Sequence, residues 1–558
     1  MKRRFILASI LGLSSFALLA QESTYTNIYF NKELTTDYSP WSNDYYLENS
    51  SSWNVDSPDG NLLTGSPNNS NYNLFISGTS QRAGGSYLLP GYSITTWNVH
   101  DITYQLTSDT FFSFTIPNNR NFNIGGDYNV EMDVKSWGSG SFRTALENTA
   151  TMYIAGDLYI KNTSVLGESG SLYNNGVEFF VEHSNTGAYS TSFVLAGDVI
   201  MSDNGIFTYK KGWSRENYFN SRIKLSFSVA YSEIGGTINM VEANEGDRVI
   251  DLFRNDVSSD ELFSTATRKF GGINGTGSIL MGASSGKDVA LIFTNSKSQS
   301  WKGALAGGTT AHKLNIIMDA TNASAKQAMH IIEEHMGTLK DGDSNAEYYE
   351  NIAVASVLVE NGTFEFGSYD GLKNGSLTIA GNKAKFLVGG AEVEALGNVN
   401  FTSASISAGT LGVAFNQNVT GALTISADDS VAEDTGSFYV ADPSAFTITL
   451  DYIAVEDSVL TEQIADFGGE MDLGTIISFE DTNLTSDNIT SGIIVKVVDE
   501  AGNVIDGVEA TLNAVFGDND KITGIGAVVS LIAVPEPATF AALFGAFALL
   551  FVAYRKRR

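Results

Sequence analysis

The sequence predicts an all-β protein whose body is an elongated parallel β-helix or β-solenoid. No proline occurs between Pro117 and Pro443, and proline is excluded from the interior of strand ladders. The same stretch is rich in Gly, Ser, Thr, Asn, Val, Ile and Phe, which favour strands and turns. Two short motifs also recur along it. A row of antiparallel β-sandwiches is the alternative, favoured by the short steps between the later repeats.

The first motif places a glycine at the centre of alternating apolar residues. It reads FNIGGDYNV, MYIAGDLYI, FVLAGDVIM and VEALGNVNF around Gly126, Gly156, Gly197 and Gly397. Apolar residues lie two and four positions before and after each glycine, which predicts one buried face. The glycine predicts close packing or a bend between two short strands. The next residue is predicted to face outward or to shape a turn, and it is Asp127, Asp157, Asp198 or Asn398.

The second motif is Gly, then Thr, Ser or Ala, then an apolar residue, any residue and an apolar residue. It occurs as GTINM, GSILM, GTFEF, GSLTI, GTLGV and GALTI, beginning at 236, 277, 362, 375, 409 and 421. Short strands separated by glycine are what a stack of coils requires, because each coil buries its inner face only against its neighbours. These segments also resemble the strand repeats of autotransporter-type passenger domains.

The chain divides into a predicted cap, a repeat region and a second cap. Residues 21–120 are rich in Tyr, Asn and Trp and are predicted to form an N-terminal β cap. Residues 121–450 are predicted to be the solenoid. Within it, apolar spacing over 322–337 predicts an amphipathic helical insertion. Residues 451–533 return to an alternating pattern, which predicts a C-terminal β region with a hairpin around Ala501–Asn503.

The N-terminal residues 1–20 are typical of a secretory signal peptide. A basic start, MKRR, precedes an apolar run that ends at Ala20. We therefore expect signal peptidase to cut between Ala20 and Gln21.

The C-terminal residues 534–558 combine three parts in order. The tetrapeptide Val534, Pro535, Glu536 and Pro537 precedes an apolar segment over Ala538–Tyr554, and the basic tail Arg555, Lys556, Arg557 and Arg558 follows. The apolar segment is long enough for a short transmembrane helix, and the tail predicts a cytoplasmic end.

These three parts resemble the PEP-CTERM sorting signal of Gram-negative bacteria, a region that also carries the label of an ice-binding protein C-terminal domain. The resemblance implies recognition by an exosortase-type membrane enzyme. It further implies transient anchoring in the inner membrane, removal of the tail, and delivery to the cell surface or extracellular matrix.

The charge and the cysteine content exclude several classes of protein. The chain has 33 Lys and Arg against 63 Asp and Glu, a net charge of −30, and it has no cysteine. An acidic chain is unsuited to nucleic acid, which requires a basic face. Disulfide scaffolds, thiolate metal sites and cysteine nucleophiles are excluded as well.

We assign no catalytic, cofactor-binding or metal-binding residue from the sequence. His330 and His335 in HIIEEH are five positions apart, so their side chains diverge on a helix and do not form a zinc pair. The segment DGDSN at 341–345 has carboxylates at calcium-loop positions, but Ala346 and Ile352 stand where that loop needs Gly and Glu. An acidic turn is therefore predicted, with a Ca²⁺ site as the alternative.

These observations predict an exported, non-catalytic cell-surface or extracellular-matrix protein, with exopolysaccharide as a possible partner. Two alternatives stay open. One is a polysaccharide-active enzyme, a lyase or glycoside hydrolase, because such sites on a β-solenoid leave no short sequence signature. The other is a polysaccharide-binding module.

Overall fold

The computed structural model describes most of the chain between residues 25 and 532. The described residues are 25–30, 47–48, 50–80, 86–88, 94–108, 111–134, 140–147, 149–163, 177–183, 191–203, 223–240, 248–253, 265–281, 288–307, 313–331, 353–367, 375–390, 398–427, 436–454 and 459–532, with single positions at 546, 547, 550, 554 and 555. The predicted signal peptide, the tetrapeptide at 534–537 and, apart from those single positions, the apolar segment and basic tail lie outside them. Within the described residues, no helix has both the length and the apolar character that a membrane crossing needs.

The described residues are predominantly β-strand. The strands are β1 (Thr26–Phe30), β2 (Trp53–Val55), β3 (Tyr72–Ser80), β4 (Ser86–Leu88), β5 (Thr96–Val99), β6 (Ile102–Ser108), β7 (Phe111–Ile116), β8 (Asn121–Ile124), β9 (Tyr128–Val134), β10 (Gly140–Leu146), β11 (Thr151–Ile154), β12 (Leu158–Asn162), β13 (Val177–His183), β14 (Ser192–Leu195), β15 (Val199–Asp203), β16 (Ile223–Phe227), β17 (Tyr231–Ile234), β18 (Ile238–Met240), β19 (Arg248–Asp251), β20 (Thr265–Phe270), β21 (Ile273–Met281), β22 (Asp288–Phe293), β23 (Gln299–Gly307), β24 (Lys313–Asp319), β25 (Lys326–Ile331), β26 (Ala353–Phe366), β27 (Ser376–Ile379), β28 (Ala384–Val388), β29 (Asn398–Phe401), β30 (Ser403–Ile406), β31 (Gly409–Phe415), β32 (Ala422–Ile425), β33 (Ser437–Val440), β34 (Phe446–Tyr452), β35 (Glu470–Phe479), β36 (Asp481–Thr482), β37 (Ile494–Val498), β38 (Val508–Phe516) and β39 (Ile522–Leu531). One α-helix, α1 (Leu460–Asp466), short 3-10 turns at Ser50–Ser52, Pro443–Ala445 and Asp518–Asp520, and a π-helical segment at Asn488–Gly492 accompany them.

Most strands belong to three rows in which neighbours pair in parallel. Row 1 runs β5, β8, β11, β14, β17, β20, β22, β24, β26, β27, β30, β33, β36. Row 2 runs β1, β3, β6, β9, β12, β15, β18, β21, β23, β25, β26, β28, β31, β34, β37. Row 3 runs β4, β7, β10, β13, β16, β19, β21. Large parallel sheets confirm the all-β prediction and do not fit the alternative of antiparallel sandwiches.

Parallel pairing is continuous across the two boundaries that the sequence suggested for the repeat region. Around position 120, Thr96 of β5 lies opposite Asn121 of β8. Around position 450, β34 pairs with β37 over five residues. The stacked rows therefore extend into both segments that the sequence predicted as caps.

Apolar residues of both motifs form one core inside the rows. Phe122, Ile124, Tyr128 and Val130 of the first repeat are fully buried, as are Ile154, Leu158 and Ile160 of the next. The alternating pattern is thus confirmed at the level of single side chains. Aromatic rings stack between neighbouring strands of row 3, where Phe142 lies 5.5 Å from Phe112 and 5.7 Å from Phe179 between ring centroids.

The predicted helical insertion over 322–337 is wrong where the structure describes it. Lys326–Ile331 is strand β25 and pairs in parallel with β23 and β26. Both faces of this strand are covered: Gln327 and Met329 are buried on one face, and Ala328 is buried on the other. The Gln327 side chain also hydrogen-bonds both backbone groups of Ile273. A strand covered on both faces lacks the alternation that distinguishes it from a helix. Residues 332–337 lie outside the described part.

Antiparallel ladders occur at the two extremes of the described chain. β1 pairs antiparallel with β2. At the other end, β35 continues the parallel pair β29–β32 and then pairs antiparallel with β39, which pairs antiparallel with β38. The predicted turn at 501–503 is present, with Gly502 at φ 84° and the Asn503 amide donating to Asp499. The flanking segments pair briefly in antiparallel orientation, through the Val498–Val504 bridge and the bond from the Ile505 amide to the Val497 carbonyl at 3.1 Å. Beyond this short hairpin, β37 belongs to row 2 and β38 pairs with β39.

Candidate functional site

The glycine-aspartate turns connect row 1 to row 2, and they stack on one another. The Oδ1 atom of Asp127 accepts a hydrogen bond from the Asp157 amide at 2.9 Å, and Asp157 Oδ1 accepts from the Asp198 amide at 2.8 Å. The row continues in both directions, because Asp101 accepts from Asp127 at 2.8 Å and Asp198 accepts from Thr237 at 2.6 Å. We call these five residues the aspartate ladder. Each carboxylate fixes the position of the next turn.

Glycine is required in these turns because the stacked backbones approach closely. The Gly156 amide donates to the Gly126 carbonyl at 2.9 Å, and the Gly197 amide donates to Gly156 at 3.1 Å. A Cβ atom on Gly156 would lie 2.3 Å from Asp127 Oδ1 and 2.5 Å from the Gly126 carbonyl oxygen. Contacts this short are incompatible with any side chain. The glycine is thus explained by close packing within a turn, as the motif predicted.

The ladder carboxylates are engaged in the fold, which limits what chemistry they can perform. Each of Asp127, Asp157 and Asp198 is half-buried and holds a backbone amide. The Tyr159 hydroxyl donates to the second oxygen of Asp157 at 3.3 Å. Burial, together with the charges of Asp127 and Asp157, raises the pKa of Tyr159. Among the described residues, no group of three His, Asp or Glu side chains is arranged to hold a metal ion.

The outward face of row 1 carries polar side chains that bond from strand to strand. Asn123 Nδ2 donates to Asn98 at 2.9 Å, and Thr151 donates to Asn121 at 2.7 Å. Further along, Lys269 pairs with Glu233 at 2.8 Å. The residue types change from strand to strand, so this face is a polar surface without one repeated chemical group.

A cluster of charged residues lies on the outward side of row 3. The ammonium of Lys224 in β16 lies 2.8 Å from Asp251 Oδ2 in β19 and 3.4 Å from Glu178 Oε1 in β13. The Ser226 hydroxyl donates to the same Glu178 oxygen at 2.5 Å. Both carboxylates and Ser226 are buried. We call these four residues the Lys224 cluster; sequence spacing does not reveal it, because only strand register brings its members together.

The buried guanidinium of Arg268 lies near this cluster. Its nitrogens donate to the carbonyl oxygens of Leu252, Thr267 and Val229 at 2.7, 2.9 and 2.8 Å. Burial lowers the pKa of Arg268 to about 9, although the charge of Asp251 acts in the opposite direction. The positive charge of Arg268 therefore interacts electrostatically with Asp251 of the Lys224 cluster.

Two further lysines of row 2 bridge to buried carboxylates. Lys326 lies 2.6 Å from Glu365, and Lys385 contacts Asp451. Lys385 reaches across the intervening strand over Gly412, where a Cβ atom would lie 2.6 Å from its Cε atom. Glycine at 412 thus leaves room for a lysine to span two strand spacings.

Most residues that the sequence proposed for a site lie outside the described part. These are Ala20, Gln21, the tetrapeptide at 534–537, the tail residues 556–558, His335 and the loop 341–345; Arg555 is one of the single described positions. His330 lies in β25 opposite Lys302 of β23. Asp101 belongs to the aspartate ladder although sequence analysis missed it, because its turn has the single residue His100 where the next turn has Gly125 and Gly126.

Comparisons with protein families, with curated proteins and with solved structures found no match. The features of this chain that bear on its function are therefore its own: the aspartate ladder, the polar face of row 1 and the Lys224 cluster.

Proposed function

We propose that the three rows wind as a β-solenoid, with row 1, row 2 and row 3 as its successive faces. Support comes from the order of pairing: from β5 to β18, each strand pairs with the strand three places later. Stacked parallel strands with glycine turns at one corner are typical of this architecture. Small-angle scattering should give an elongated particle, and a compact sphere would contradict the proposal.

We propose that the protein is an exported, non-catalytic component of the cell surface or its extracellular matrix. The observation that carries this proposal is the aspartate ladder, because the carboxylates that recur through the repeats hold backbone amides. Catalysis requires a unique asymmetric arrangement of groups, whereas a repeated ladder builds extended surface. Exopolysaccharide is the proposed partner, bound along polar faces such as that of row 1.

Export and sorting are proposed from the chain ends. Signal peptidase would release Gln21 as the first residue, and an exosortase-type enzyme would act at Val534–Pro537. Cell fractionation and N-terminal sequencing test both steps. Replacing Arg555, Lys556, Arg557 and Arg558 with neutral residues should leave the tail uncut or misoriented. Normal surface delivery of that variant, or an intact Met1 on surface protein, would contradict the proposal.

The Lys224 cluster favours a polysaccharide-active enzyme as the second candidate. Two carboxylates on one face of a parallel sheet are the groups that sugar hydrolysis uses. Against it, both are buried and held by Lys224 and Ser226. The test is to incubate the purified protein with acidic and neutral polysaccharides, with and without Ca²⁺. Release of reducing ends or unsaturated sugars, lost in Glu178→Gln but retained in Asp157→Asn, would establish the enzyme and overturn the non-catalytic role.

A further inference from the structure

The Lys224 cluster places an amine against a buried carboxyl group with a second carboxyl group beside it. Lys224 Nζ lies 2.8 Å from Asp251 Oδ2 and 3.4 Å from Glu178 Oε1. The side chain of Asp251 is 5% exposed, that of Glu178 is 11% exposed and that of Lys224 is 27% exposed. Asp251 Oδ1 is removed from solvent and has no hydrogen-bond partner among the described residues. The carboxyl carbon of Asp251 is therefore presented to the amine with one oxygen unengaged.

We propose that Lys224 and Asp251 become joined by an intramolecular amide bond, with Glu178 as the group that carries the proton. The site supplies all three requirements for this condensation: a nucleophilic amine, an acceptor carboxyl group and a general acid–base in contact with the amine. Register holds them together, because Glu178 lies opposite Lys224 and Asp251 lies opposite Ser226, two residues further along the same strand.

Proton transfer must precede bond formation. The ammonium must lose a proton before it can attack, and the leaving oxygen of Asp251 must gain protons. The two groups are close enough for direct transfer, because Lys224 Nζ lies 2.8 Å from Asp251 Oδ2. Glu178, which Ser226 orients, contacts the amine and can carry that proton.

The reaction balances without any oxidant or cofactor. Neutral Lys224 Nζ attacks the Asp251 carboxyl carbon, and a C–N bond forms. Glu178 accepts the second amine proton and delivers it to the departing hydroxyl of Asp251. The C–O bond breaks and one water molecule leaves. The product is an amide between β16 and β19, Glu178 returns to its starting state, and the pair loses one positive and one negative charge.

The described residues contain a matched lysine–carboxylate pair, Lys385 and Asp451, without a second carboxyl group in contact with the lysine. Among the described residues, the Lys385 ammonium contacts the carboxylate of Asp451 alone. We expect this pair to remain an ion pair, because no second carboxyl group is positioned to move the proton. Lys385→Met is therefore the control variant: it removes a lysine that bridges two strands and leaves Lys224, Asp251 and Glu178 unchanged.

The test is mass analysis of the full chain, purified in its folded state and then denatured. We expect an intact mass lower than that of the sequence by one water molecule. After trypsin, residues 223–248 should stay one peptide, because a modified Lys224 resists cleavage. The proposed amide should join this peptide to residues 249–254. This pair has the same mass as the linear peptide 223–254, so sequential degradation must separate the two: the cross-linked pair releases Ile223 and Val249 together in the first cycle, and the linear peptide releases Ile223 alone.

Variants assign the bond to its residues. Lys224→Met and Glu178→Gln should restore the full mass, and Lys385→Met should still show the loss of water. If Lys224→Met fails to fold, the sequential degradation of the unaltered protein decides the question. A full mass for the folded protein, release of Ile223 alone, or loss of water that persists in Lys224→Met would overturn the proposal. Loss of water that persists in Glu178→Gln would overturn the role of Glu178.

Discussion

Replacement of Gly156 by alanine tests the close stacking of the glycine-aspartate turns. The new methyl carbon would lie 2.3 Å from Asp127 Oδ1 and 2.5 Å from both the carbonyl carbon and oxygen of Gly126. Two of these three obstructing atoms belong to the backbone, so rotation of a side chain does not relieve the contact. The turn at 156 must therefore move away from the turn at 126.

Such a shift disturbs two kinds of interaction. Forcing a methyl group into a packed site costs about 1–3 kcal/mol. The displacement also weakens the bonds from the Gly156 amide to the Gly126 carbonyl and from the Asp157 amide to Asp127, which are 2.9 Å long in each case. A hydrogen bond of this kind contributes about 1 kcal/mol, so we expect a total loss of about 2–4 kcal/mol in the free energy of unfolding.

Gly65→Ala is the matched control, because a Cβ atom there would have no neighbour within 4 Å. We expect its effect to stay within about 0.5 kcal/mol. Denaturant unfolding followed by far-UV circular dichroism measures the midpoints of both variants. Since the stability of a stacked array is partly local, hydrogen exchange should show faster opening of β11 and β12 in Gly156→Ala. Equal midpoints and equal exchange for the two variants would refute the close-stacking explanation.

Two further predictions concern the ladder and the core. Asp157→Ala removes the acceptor of the Asp198 amide and should lower the free energy of unfolding by about 1.5–3 kcal/mol. Asp157→Asn keeps an acceptor oxygen and should lose less stability. Identical losses in the two variants would contradict a hydrogen-bonding role. Burial raises the pKa of Tyr104 and Tyr128 above their ordinary value. Above a pH of about 10, the unfolded chain therefore releases protons that the folded chain retains, and stability falls as pH rises. In pH-dependent denaturation, the Tyr104→Phe, Tyr128→Phe double variant should lose less stability than the unaltered protein over this range, and an equal slope would contradict burial as the cause.

The buried face of the repeats could be predicted from sequence because it depends on local alternation alone. Phe122, Ile124, Leu158 and Ile160 are buried as their spacing requires. Strand β25 could not be predicted, since Ala328 on its other face is also buried and its inward Gln327 is bonded to Ile273, a contact 54 residues distant in sequence.

The partners of polar side chains escaped prediction for a related reason. Strand register decides which backbone amide bonds to Asp157. It also brings Lys224 into contact with both Glu178 and Asp251. Register is a property of non-local pairing, and the segments between paired strands have no constant length that would reveal it in the sequence.

The aspartate ladder has a consequence for how this chain can change during evolution. Its successive hydrogen bonds span 26, 30, 41 and 39 residues, yet each joins a backbone amide to the Oδ1 atom of the preceding aspartate. Because each carboxylate sets the register locally, the number of residues between two turns is free to vary. The entropic cost of a longer connection is small, about 0.6 kcal/mol for each doubling of its length. A longer connection between two turns should therefore leave the strands on either side aligned, and a foreign peptide inserted between two turns should be tolerated.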